Sequence, residues 1–203
     1  MLNVSNFKKV DLLLNDVWEF QGLGSQVNSS SVDINSNTEY AFSSFNDFSS
    51  GAPAIRQLDM SGMLQNTFVM PDTFQGGVSF FSNAVVDHNA SDDYFIGATL
   101  TPTGGALSYP YILKLDNALN VVWQKVFSWG TSAEVLSVIS EPGNGVTCML
   151  NQQDTIIFLH LNNLGDSVWS RTYTGICTVK PNQMRPCTDG GYIVSGSTSN
   201  GVD

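Results

Sequence analysis

Residues 110–130 read PYILKLDNALNVVWQKVFSWG, and residues 159–175 read LHLNNLGDSVWSRTYTG. In both, an apolar run ends at Asp116 or Asn162, a polar turn follows, and an apolar return reaches a tryptophan seven residues on, Trp123 or Trp169. Such runs, closed by Asn, Asp and Gly, are hairpin chemistry, because Asx side chains close turns and β-branched neighbours favour strands. The same interval separates Asp11 from Trp18, after Lys9 and Val10. A fourth copy, Gln57-Leu58-Asp59, has Asn66 in the tryptophan column. The Asp/Asn column therefore falls at Asp11, Asp59, Asp116 and Asn162, with spacings of 48, 57 and 46.

A second column keeps the same beat. Turn residues precede a strand start at Tyr40, Tyr94, Val146 and Tyr192, spaced 54, 52 and 46. Each period holds four strand-like runs, for example 134–140, 146–150, 156–161 and 167–173. A repeat of this length carrying four antiparallel strands predicts a β-propeller blade. The expectation is an all-β chain, one β-propeller domain over residues 1–203. Its copies lie near 27–72, 78–128 and 133–175, with a fourth split between 1–20 and 176–203. The split copy fits either a closed four-blade ring or a piece of a larger propeller.

Composition supports the same class. Ser, Thr, Asn and Gly fill over a third of the chain, only 13% is charged, and 11% is aromatic. This turn-rich mix suits strands and loops better than helical bundles. The net charge of −10 argues against nucleic acid as a partner, since phosphate binding needs a basic patch. No apolar run is long enough to span a membrane, and the charged start lacks the apolar stretch of a signal peptide. Cys148, Cys177 and Cys187 are too few for a disulfide scaffold, although 177 and 187 stand close enough in sequence to bridge a loop.

The segments TDGGYIVSGSTSNG (188–201), 110–130 and 159–175 resemble repeats of bacterial secreted β-propeller proteins, many of which carry a type IX secretion sorting domain. The matching residues are Asp189, Gly190, Gly191, Tyr192, Gly196, Lys114, Leu115, Asp116, Trp123, Gly165, Trp169, Tyr173 and Gly175. The resemblance is strong from about residue 92 onward and weak over 20–90. It implies the fold and an extracellular or cell-surface setting. It carries no activity, because the motif residues are structural.

Candidate chemistry is sparse. Asp87, Asn89 and Asp93 alternate oxygen donors as a calcium loop begins, but position six is Asp92 where such a loop needs Gly. The repeat register reads the stretch as a turn. No cofactor is expected, Ca²⁺ being the cation this weak candidate would take. His88 stands beside Asp87, which could orient it as a base. His160 shares its column with Lys9 and Lys114, a repeat-surface position. Trp18, Trp123 and Trp169 recur at one position and read as packing between blades. Trp129 lies outside that column, and Tyr109 and Tyr111 close a long insert, so these three are the candidate ligand contacts.

The leading expectation is a non-enzymatic extracellular propeller: an adhesion, ligand-binding or surface-scaffold module with a protein or glycan partner. The alternative is a propeller-type enzyme, either a quinoprotein-like dehydrogenase or a glycan hydrolase. A hydrolase would need two converging carboxylates, for which Asp47, Asp72, Glu134 and Glu141 are available.

Overall fold

The computed structural model describes residues 5–22, 31–34, 40–44, 54–70, 73–74, 77–143, 145–174 and 179–198. Every regular element among them is a strand, and no helix is long and apolar enough to cross a membrane. β1 (Ser5–Val10) and β2 (Asp16–Gly22) form a hairpin. β3 (Ser31–Ile34), β4 (Tyr40–Ser44), β5 (Ala54–Leu58) and β6 (Leu64–Val69) form a four-stranded sheet in chain order. The next sheet has five strands: β7 (Thr73–Phe74), β8 (Gly77–His88), β9 (Tyr94–Pro102), β10 (Tyr109–Leu115) and β11 (Val121–Val126). β12 (Glu134–Ser140), β13 (Val146–Gln152), β14 (Thr155–Leu161) and β15 (Ser167–Thr174) make another four-stranded sheet, and β16 (Val179–Pro186) and β17 (Tyr192–Thr198) a last hairpin. All pairings are antiparallel, and β3, β8, β12 and β16 lie side by side along one seam.

The repeat register becomes a backbone register. Lys9 pairs with Trp18, Gln57 with Asn66, Lys114 with Trp123 and His160 with Trp169, and a β-bulge follows each first member. The intervening turn is the same each time. The Oδ1 of Asp11, Asp59, Asp116 or Asn162 accepts backbone N–H groups two and four residues on. Leu14, Gly62, Leu119 and Gly165 take the left-handed residue that closes the turn, as in hairpins that end on a bulge.

Those carboxylates give the turns an acid dependence. The Asn120 side-chain amide holds the Asp116 carboxyl below its ordinary 3.8, and Asn15 and Ser61 do the same for Asp11 and Asp59. A lowered folded value gives stability that is present above 3.8 and lost as pH falls through the folded value. Asn162 shows that an amide closes the same turn without ionising. Asp116→Asn should therefore leave the urea midpoint near neutrality within experimental scatter and flatten its fall on acidification. An unchanged acid slope would assign that slope to other groups.

Alternation sends successive side chains to opposite faces, and here both faces are covered. Tyr94, Ile96, Ala98 and Leu100 of β9 join Leu113, Leu115 and Ile55 in a cluster against the β3–β6 sheet. Phe95 and Ile112, on the other face, meet Val135, Cys148, Leu159 and Leu161 of the β12–β15 sheet. Met149 and Ile139 turn onward to Met184, Tyr192 and Val194.

Two tryptophans lock neighbouring sheets. Trp18 Nε1 donates to the Met60 carbonyl at 2.9 Å, and Trp123 Nε1 to that of Asn163 at 2.8 Å. A Cβ built on Gly62 would lie 2.6 Å from the Trp18 ring, and one on Gly165 2.9 Å from Trp123. Where Asn66 replaces tryptophan, its amide reaches the Ala118 carbonyl at 3.1 Å, and the facing turn position is Leu119, which is buried.

Closure is not seen among the described residues. Among the described residues β1–β2 and β16–β17 form separate two-stranded sheets, where the split copy expected from 1–20 and 176–203 would join them. Trp18 anchors β1–β2 on the β5–β6 turn instead.

Candidate functional site

The seam of β3, β8, β12 and β16 opens into a cavity of about 630 Å³. Asp33, Asp87, Ser137, Ser140, Asn182 and Arg185 supply its polar lining. Because the four strands run side by side, their C-terminal ends bring residues from separate sheets together. Asp33 comes from β3, Asp87 and His88 end β8, and Ser140 ends β12.

His88 Nδ1 lies 2.5 Å from Asp33 Oδ2, with both side chains about four-fifths buried (19% and 21% exposed). With the proton on Nδ1, the imidazole donates to the carboxylate and fixes its orientation. Asp87 Oδ2 accepts the Ser140 amide at 2.6 Å, and the Ser140 hydroxyl donates to the His88 carbonyl at 2.5 Å. Burial pushes the Asp87 carboxyl above its ordinary value, and the Asp33 charge adds to the rise against the Ser140 hydrogen bond. One donor atom each from Asp33, Asp87 and His88 lies within 4.8 Å of the others. Such an O,O,N set is one a divalent cation accepts, and the burial that raises the Asp87 carboxyl works against that use. The arrangement is better suited to handing over a proton beside a fixed carboxylate.

The sequence reading found Asp87 and His88 but not Asp33, 54 residues before Asp87. Its one sequence signal is a carboxylate between Val32 and Ile34 in a short apolar strand. The stretch after β8 forms the turn that the repeat register reads there. Asn89 Oδ1 closes a turn by accepting the amides of Ser91 and Asp93, and Asp93 pairs with Lys114 at 2.9 Å. Asp87 faces the cavity instead, so the three side chains do not converge.

Tyr109 and Tyr111 are corrected. Both fall on β10 two residues apart, hence on one face, and that face is the core: Tyr111 is 3% exposed, with its hydroxyl on Gln124 Oε1 at 2.6 Å. Trp129 is 39% exposed and stacks on Phe127 at 5.9 Å. It stands in the chain between β11 and the start of β12, whereas the acidic site lies at β12's other end. Among the hydrolase carboxylates, Glu134 and Glu141 lie at opposite ends of β12, and the Tyr192 hydroxyl donates to Glu141 Oε1. Asp47 and Asp72 lie outside the described residues, as does Cys177, while Cys187 is exposed.

His160 is not at the surface. Its column faces the seam between sheets: Gln57 and Lys114 are buried, and half-buried His160 meets Thr147 at 3.0 Å and stacks on Trp169.

No family model and no curated protein matches this chain. Solved structures do. One is an exo-β-1,3-galactanase from Phanerochaete chrysosporium, determined with galactose, which superimposes with a TM-score of 0.64 at 10% identity. The match covers 98% of this chain and 48% of that one, so this chain spans about half its length. At that identity the likeness shows an all-β, propeller-like fold. It also corrects the leading functional expectation. A solved structure with this architecture is an enzyme, so the non-enzymatic adhesion, binding or scaffold expectation is not carried further, and the enzyme alternative is taken up below as a proposal.

Proposed function

We propose that the chain is a propeller-type glycan hydrolase working at the mouth of the seam cavity. The observation that carries this reading is the Asp33–Asp87 pair: one carboxyl pushed toward its protonated form by burial, the other aligned by His88. Glycoside cleavage needs one acid that still holds its proton and one ionised partner. Asp87 protonates the departing glycosidic oxygen. Asp33, held by His88, supplies negative charge opposite the developing positive charge of the sugar ring, and the water that adds to the anomeric carbon gives its proton back to the Asp87 carboxylate. Ser140 positions both partners, through its amide to Asp87 and its hydroxyl to the His88 carbonyl.

β-Linked galactan is the first substrate to try, given the fold neighbour. The assay is release of reducing sugar from a panel of β-galactans and arabinogalactans. Asp87→Asn and Asp33→Asn should each lower turnover by about 100-fold or more, the usual weight of a general acid or its partner, with strand content by circular dichroism unchanged. Activity should also fall as pH rises through the raised Asp87 value, because the acid form is the working one. Turnover that survives both substitutions, or no turnover across the panel, would refute the assignment.

A further inference from the structure

Arg185 shares a repeat position with both carboxylates of the seam cavity. Asp33, Asp87, Ile139 and Arg185 each stand seven residues before the strand starts at Tyr40, Tyr94, Val146 and Tyr192. The backbone keeps that column: Asp33 pairs with Ala41, Asp87 with Phe95, Ile139 with Thr147 and Arg185 with Ile193. All four line the one cavity. The column thus offers it two acids, an apolar residue and a base. Arg185 is the one cation among the described lining residues, in a chain with 8 basic residues against 18 acidic ones. A β-bulge extends this polar wall. The β16–β17 register skips between Pro181 and Gln183, and the extra residue, Asn182, lines the cavity beside Arg185. Bulges re-aim side chains in this way. In β12 the residue at the corresponding bulge is Leu136, which gives an apolar wall.

Neutralising the acid pair is not the task of this cation. β12 packs against both β8 and β16, so Asp87 and Arg185 reach the cavity from either side of it. Among the described residues no ion pair joins Arg185 to Asp33 or Asp87, and the charges that act on Asp87 are those of Asp33 and His88. The guanidinium therefore keeps its planar fork of donors for something else in the cavity, and that fork matches a carboxylate in two parallel hydrogen bonds. We propose that Arg185, with the Asn182 amide beside it, binds the carboxylate of an acidic sugar, so that the cavity takes a glycan carrying a hexuronic acid residue. The fate of that glycan rests on the hydrolase reading, whereas its binding rests on the column alone. A net charge of −10 repels an anionic chain, and a local cation is what admits one.

The probes are a β-galactan oligosaccharide ending in glucuronic acid and the same oligosaccharide with that carboxyl reduced to an alcohol. Binding is read by titration calorimetry in the full chain carrying Asp87→Asn, which lacks the proton donor and so leaves the probe intact. The acid should bind about tenfold or more tightly than the alcohol, the usual weight of charge-assisted hydrogen bonds. Adding Arg185→Gln should bring the ratio to about one, and Arg185→Lys, which keeps the charge without the fork, should leave it in between. Arg185 is exposed, so neither substitution disturbs the core. Equal binding of the two probes, binding of neither, or a preference that survives Arg185→Gln would overturn the proposal. A preference that is lost with Arg185, in a wild-type chain that turns over no glycan, would support the acidic-sugar site and refute the hydrolase reading alone.

Discussion

Asp93→Ala is expected to lower the unfolding free energy by about 3–5 kcal/mol, the usual cost of stranding one member of a buried ion pair. Its partner, Lys114, is 4% exposed at the side chain and sits in the seam between the second and third complete sheets. There the ammonium meets Asp93 Oδ2 at 2.9 Å, Asn163 Oδ1 at 2.7 Å and the Phe95 ring at 5.4 Å. Without Asp93 the charge keeps one neutral acceptor and one aromatic face. Neither replaces the hydration it gave up. Asp93 also accepts the Asn89 side-chain amide at 3.3 Å, so part of the loss is a loosened turn. The double variant Asp93→Ala with Lys114→Met separates the two, because it removes the buried charge as well. It should recover most of the lost stability in urea unfolding. If the double variant is as unstable as the single one, the loss belongs to the turn.

Gly165→Ala should cost about 2–5 kcal/mol. Two contributions add: a left-handed backbone at φ 77 disfavours an L side chain by about 1–2 kcal/mol, and overpacking a filled seam costs about 1–3 kcal/mol. The new methyl would lie 2.9 Å from Trp123 Cδ2 and Cε3. Trp123 cannot retreat freely, since its Nε1 is bonded to the Asn163 carbonyl in the turn that would carry the methyl. Gly104→Ala is the control. It has φ 74 with nothing within 4 Å, so it incurs the backbone cost alone. The difference between the two variants, read from thermal or urea unfolding, measures the seam. Equal losses would mean that Trp123 moves aside.

The sequence made the hairpins legible because their chemistry is local. An Asx residue, its turn and the returning tryptophan lie within eight positions, and all four copies appear with the pairing the columns imply. The sheet over 134–174 follows the strands read from the sequence for the same reason. What escaped was set by distance along the chain. Asp33 reaches His88 because two strands from different sheets share the seam, and no short-range pattern joins residues 55 apart. Tyr111 escaped differently. The insert before it was read as loop up to 111, but β10 starts at Tyr109, and alternation from there turns both tyrosines inward. The pairing of tryptophan with glycine across seams was visible in the letters as Gly62 and Gly165, yet its meaning needed the ring positions.

Among the described residues the apolar clusters lie between successive sheets, with no single centre shared by all. Cohesion in such a chain is passed from neighbour to neighbour, so it behaves as a one-dimensional array whose links loosen from the ends. The β7–β11 sheet, gripped on both faces, is then the last to open, and the β1–β2 and β16–β17 hairpins, each gripped on one among the described residues, exchange their amides with solvent sooner.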